Sequence, residues 1–186
     1  MPRSLELSRL SYLTRDHRIN VYVHWSVFLI SALMLLGTLQ NRLATVIGLA
    51  SYLGVLIIHE SGHLMMARLR GYEALSIELY PIFGIACYER PESRFDRAAI
   101  AWGGVLAQAA VGVPVAVYIA MQGYSRFEPV NAALAILGDI SLCIAAFNLL
   151  PLGPLDGSFA WDLLPAFIER RRNRHRRRVV PYRSAR

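Results

Sequence analysis

The sequence predicts an all-α polytopic membrane protein with four transmembrane helices and a small β-hairpin or membrane-dipping loop between the second and third. Three observations point there. Of 186 residues, 55% are hydrophobic and only 18% charged, against about 25% charged in soluble domains. Four apolar runs, at residues 21–39, 44–67, 98–121 and 131–150, are each long enough to span; about 20 residues rising 1.5 Å each cross a hydrocarbon core of about 30 Å. The third observation is the placement of arginine. All 20 basic residues are arginine, and all but Arg42 and Arg126 fall in the N-terminal segment, the connection between the second and third runs, and the tail. By the positive-inside rule this asymmetry predicts an even number of spans with both termini in the cytoplasm. Composition excludes a disordered or collagen-like chain, and two cysteines, Cys87 and Cys143, make no disulfide framework.

Taken in order, residues 1–20 form a basic cytoplasmic segment with Arg3, Arg9, Arg15 and Arg18. The first run is not a signal peptide: its core is long, His24 comes early, and no small-x-small cleavage site follows. His24 and Trp25 read as an interfacial anchor. The second run leads directly into His59, Glu60, Ser61, Gly62 and His63, an H-E-x-x-H pattern at the cytoplasmic end of a span. On a helix, His59 and His63 lie four apart on one face, so both imidazoles reach one zinc ion. Glu60 stands beside them as a proton acceptor for a water on that ion. Ionisable groups at membrane depth are costly and mark function.

Between the second and third runs, residues 75–79 and 85–88 read as strands around Tyr80, Pro81, Ile82, Phe83 and Gly84. Gly103 and Gly104 in the third run permit close helix approach. Asp139, in the fourth run, reads as an interfacial acid reached by water, or as a polar site linked to Gln108. The fourth run ends in a stretch from Asn148 through Pro151, Pro154, Asp156 and Gly157. The prolines break the helix and let an irregular segment present a carboxylate. A catalytic zinc takes three protein ligands, and Asp156 is the best candidate for the third.

Together the two motifs resemble the site-2 protease family of intramembrane zinc metalloproteases. That family pairs H-E-x-x-H on one helix with N-x-x-P-x-x-P-x-D-G near a later one, and the second pattern is met at Asn148, Pro151, Pro154, Asp156 and Gly157. The resemblance covers a three-helix metalloprotease core at about residues 44–160. His24, Trp25 and Ser26 look like members with an extra N-terminal helix. It implies one zinc per chain held by His59, His63 and Asp156, with Glu60 as general base and Asn148 at the substrate carbonyl or oxyanion. The family's A-G-P-x-x-N stretch reads here Gly103, Gly104, Val105, Leu106, Ala107, Gln108, with Val105 for the proline and Gln108 for the asparagine. No PDZ or CBS domain fits in this length.

The expected organisation is a basic segment at 1–20, a four-helix membrane domain at 21–160, and an interfacial helix with an arginine-rich cytoplasmic tail at 161–186. The tail is expected to meet anionic lipids rather than nucleic acid. The expected activity is cleavage of peptide bonds in or near transmembrane segments of membrane proteins in a bacterial cytoplasmic membrane. A catalytically idle client-binding protein of the same fold is the alternative. A metal transporter would need ionisable residues distributed through the spans, whereas here they gather at one face.

Overall fold

In the computed structural model the described residues are 5–10, 19–37 and 41–179. The chain runs through β1 (Leu5–Leu10), β2 (Ile19–Val23), α1 (Trp25–Gly37), α2 (Arg42–Leu69), β3 (Ala74–Leu79) and β4 (Gly84–Tyr88). It continues through α3 (Arg94–Gln122), α4 (Glu128–Ala135), a π-helical turn (Ile136–Ile140), α5 (Ser141–Asn148), α6 (Gly157–Ala160) and α7 (Leu163–Val179). Among the described residues, three helices are long and apolar enough to cross a membrane: Arg42–Leu69, Arg94–Gln122 and the composite Glu128–Asn148.

Two expectations are corrected. The fold is not all-α, and the first apolar run is not one long helix. Residues 19–23 are a strand, and α1 has 13 residues, about 20 Å of rise. The run Ile19, Asn20, Val21, Tyr22, Val23 is β-branched and aromatic, and hydropathy alone does not separate such a strand from a helix. His24 then caps α1: its Nδ1 accepts from the Ser26 amide at 3.3 Å. The N-terminal segment likewise contributes β1 to the sheet. Arg3, Arg15 and Arg18 lie outside the described residues, as does 180–186.

The sheet has the order β1-β2-β3-β4. Its core is β2, β3 and β4; β1 adds antiparallel at the edge. The hairpin expected at 75–88 is present as antiparallel β3 and β4. β2 runs parallel to β3, with Val21 opposite Ile77. Parallel neighbours need a crossover, and here α1 and α2 provide it. The chain therefore leaves the sheet along α1 and returns along α2. Val21, Ala74, Ile77 and Leu79 bury against Leu56 and Leu64 of α2, which ties the sheet to the helix bearing the histidines.

Helix ends are locally specified. α2 stops at a Schellman motif: Gly71 has φ +88°, Tyr72 N–H donates to Ala67 O at 3.0 Å and Gly71 N–H to Arg68 O at 2.9 Å. α3 starts at Ser93, whose hydroxyl accepts from the Asp96 amide at 3.0 Å. The Asp96 carboxylate then accepts from Arg70 and from the Tyr72 hydroxyl, locking the end of α2 to the start of α3. The Arg70 and Arg170 guanidiniums both lie over the Phe95 ring, at 4.9 and 5.1 Å, so α7 meets this same corner.

Candidate metal centre

Small residues set the depth at which α2 and α3 meet. A methyl group on Gly62 would stand 2.6 Å from Ala107 Cβ, and one on Gly103 would stand 2.8 Å from Met66 Cβ. The backbones touch at Gly62 and Gly103, between His59 and His63 on one helix and beside Gly104 on the other. His59, Glu60 and His63 are thereby buried inside an apolar helix.

Asp156 arrives from the other side. After α5 the chain breaks at Pro151 and folds back before α6. Trp161 Nε1–H donates to Leu149 O at 2.7 Å, and Trp102 Nε1–H donates to Ala160 O at 3.0 Å. These bonds hold the irregular loop against α3 and α5. The structure brings together the two histidines and the distant aspartate: their ligand atoms lie within 4.8 Å of one another. His59 Nε2 and His63 Nε2 are 3.1 Å apart, and Asp156 Oδ2 is 3.0 and 3.2 Å from them.

The chemistry of this triangle depends on where the ring protons sit. His63 Nδ1 is 2.8 Å from Ile100 O. A carbonyl only accepts, so Nδ1 carries the hydrogen and Nε2 of the neutral ring offers a lone pair. His59 Nδ1 faces Gln108 Oε1 at 2.8 Å, with the same result. Asp156 Oδ2 is buried and has no hydrogen-bond donor. Three lone pairs thus converge with nothing between them, an arrangement that repels itself unless a cation or protons enter. Ligand atoms about 2.0–2.2 Å from a tetrahedral zinc stand roughly 3.3 Å apart, close to the edges found here. The residues fit a metal ion. Protons are the competitor for these lone pairs.

Glu60 lies against the sheet rather than in the triangle. The Ala86 backbone N–H donates to it, and a methyl on Gly84 would sit 2.7 Å from Glu60 Oε1. Asn148 is the last residue of α5 and half-buried. Asp139 is exposed and accepts from the Tyr124 hydroxyl at 2.7 Å; it has no link to Gln108, which serves His59 instead. Sequence reasoning missed the Ile100 carbonyl, which no side-chain pattern reveals. It also read Gly104 as helix packing, whereas a methyl there would stand 2.7 Å from His59 Cε1.

No family model matches the chain. Among curated proteins, it is 32% identical over 169 residues to "Putative zinc metalloprotease sll0528" of Synechocystis, covering 86% of this chain and 39% of that protein. It is 32% identical over 167 residues to "Putative zinc metalloprotease Rip3" of Mycobacterium tuberculosis, covering 81% of this chain and 42% of the other. The chain thus spans about two-fifths of the length of these relatives. Its fold matches the site-2 protease from Methanocaldococcus jannaschii with a TM-score of 0.59 at 20% identity, over 87% of this chain and 71% of that one. With the H-E-x-x-H histidines and the distant aspartate converging on that fold, the chain is a distant homologue of these two relatives over most of its length and has the site-2 protease fold.

Proposed function

We propose that the chain is an intramembrane zinc endopeptidase that hydrolyses peptide bonds in or near transmembrane segments of membrane proteins. The observation that carries this reading is the triangle of proton-free ligand atoms at His59, His63 and Asp156 beside the buried Glu60. One zinc ion held by those three residues would supply Lewis acidity to a scissile carbonyl and acidify a water. Glu60 takes the proton of the attacking water and returns it to the leaving amine. Asn148, from the same motif as Asp156, donates to the substrate carbonyl oxygen as negative charge develops there.

A helical substrate has its amides locked in i→i−4 bonds and must unwind before cleavage. β4 is the last strand of the sheet among the described residues. Its outer edge faces Glu60, and an unwound segment adds there as a further strand, with the scissile bond delivered beside the carboxyl group. The loop tip supports a membrane-facing hairpin, since Ile82 and Phe83 are both exposed.

The same reading places both termini in the cytoplasm of a bacterial cell, with the membrane domain at 21–160 and the tail against anionic lipid. Arg170, Arg171 and Arg172 are exposed on α7, as are the apolar Leu164 and Ile168. That combination suits an interfacial helix.

Zinc content and proteolysis measured together on the parent, Glu60→Gln and Asp156→Ala test the proposal. Glu60→Gln should keep its metal and lose turnover by at least about a hundredfold; Asp156→Ala should lose both. A metal-loaded parent that cleaves nothing, with its cellular phenotype kept in Glu60→Gln, would leave an idle client-binding protein as the better reading.

A further inference from the structure

We infer that Gln108 is a positioning residue for the metal: it selects the ring tautomer of His59 that leaves Nε2 free to bind. The inference rests on the zinc reading above and goes beyond it. Gln108 is wholly buried in α3, at the position where the family pattern has asparagine. Its two amide atoms have separate jobs. Nε2–H donates to Ser141 O at 3.4 Å, the first residue after the π-helical turn. That bond points Oε1 at His59 Nδ1, 2.8 Å away.

The direction of the amide decides the chemistry. An oxygen facing Nδ1 requires the hydrogen there and puts the lone pair on Nε2. An amide turned the other way would offer N–H to Nδ1, move the imidazole hydrogen to Nε2, and aim it into the space between His63 and Asp156. The site would then be closed by its own proton. His63 runs no such risk, because its partner is the Ile100 main-chain carbonyl, which cannot turn. Of the two imidazoles, only His59 depends on a side chain for its tautomer. Partners of this kind fix ring orientation and basicity, and losing one lowers metal affinity by about 10–100-fold.

The alternative is that Gln108 merely fills space. Leucine has nearly the same volume without the acceptor. Glutamate, ionised or neutral, keeps an oxygen acceptor at the position that faces His59 Nδ1. A positioning role therefore predicts that Gln108→Leu loses zinc affinity by about 10–100-fold while Gln108→Glu stays near the parent. A space-filling role predicts the reverse order. Gln108→Asn draws the amide back by one methylene and is expected to fall with the leucine variant, which keeps the test open should leucine fail to fold.

The experiment strips the purified, detergent-solubilised protein of metal and titrates Zn²⁺ against a competing chelator. Cobalt substitution is followed in parallel by visible absorption, and His59→Ala serves as reference. Weakened zinc binding and an altered cobalt spectrum in Gln108→Leu, with Gln108→Glu close to the parent, support the inference. Parental affinity in Gln108→Leu or Gln108→Asn, with binding lost in His59→Ala, overturns it and leaves the metal site standing. A parent that binds no zinc overturns the metal-site reading itself.

Discussion

Gly104 shows how much of the centre is set by what a residue lacks. Its missing side chain leaves the volume into which the His59 and His63 rings turn, with His59 Cε1 only 2.7 Å from where a methyl would be. Both rings are fixed on their far side by Gln108 and Ile100, so they cannot retreat without losing those bonds. Gly104→Ala should therefore fold and yet lose zinc affinity by about 100-fold, read by metal titration alongside circular dichroism. Retained affinity would mean the rings have slack that their hydrogen bonds do not suggest. The pairing of His59 with His63 was legible in the sequence, because i, i+4 spacing on a helix is a local property. The anchoring of His63 was not, because its partner is a main-chain oxygen on another helix and every residue has one.

At the scale of elements, β4 and α2 meet across Gly84 and Glu60. A side chain at Gly84 would overlap the carboxyl group, so the strand reaches Glu60 only because glycine stands there. Gly84→Ala should displace Glu60 while leaving the histidines and Asp156 in place. Proteolysis is expected to fall by about tenfold to a hundredfold, the scale of a misplacement near 1 Å, with zinc content unchanged; loss of zinc would show that the strand supports the metal directly. The hairpin was readable from its β-branched runs and the Pro81 to Gly84 turn. The π-helical turn at Ile136–Ile140 was not, since the apolar run through it continues without a break. Its footing is tertiary: a methyl on Gly138 would come within 3.1 Å of both Val115 and Ile119 on α3. The first span was misjudged for a related reason. Val21, Tyr22 and Val23 are as apolar as a helix, and it is their pairing with β1 and with Ile77, Glu78 and Leu79 that makes them a strand.

For the whole molecule, the parallel pairing of β2 with β3 constrains topology more tightly than hydropathy does. Both strands belong to one sheet, so the chain must return to the level it left, although α1 has only 13 residues. The far ends also meet, where Asn41 before α2 contacts Glu128 at the start of α4. Residues near Ser125 and residues near Glu92 are thus expected on opposite sides of the membrane. Single cysteines at those two positions, with Cys87 and Cys143 replaced by serine, should be labelled by an impermeant thiol reagent from opposite faces of sealed vesicles. Labelling of both from one face would break the proposed orientation.

That pairing also has a consequence in time. A ribosome delivers β2 before either α1 or α2 exists, and its partner β3 only after both. Val21 cannot find Ile77 until two helices have been handed to the bilayer, so the sheet closes late, as a clasp on segments already inserted. Contacts distant along the chain form slowly. Until then β2 has only the antiparallel partner β1 that precedes it, and the histidine-bearing helix gains its covering sheet only when that wait ends.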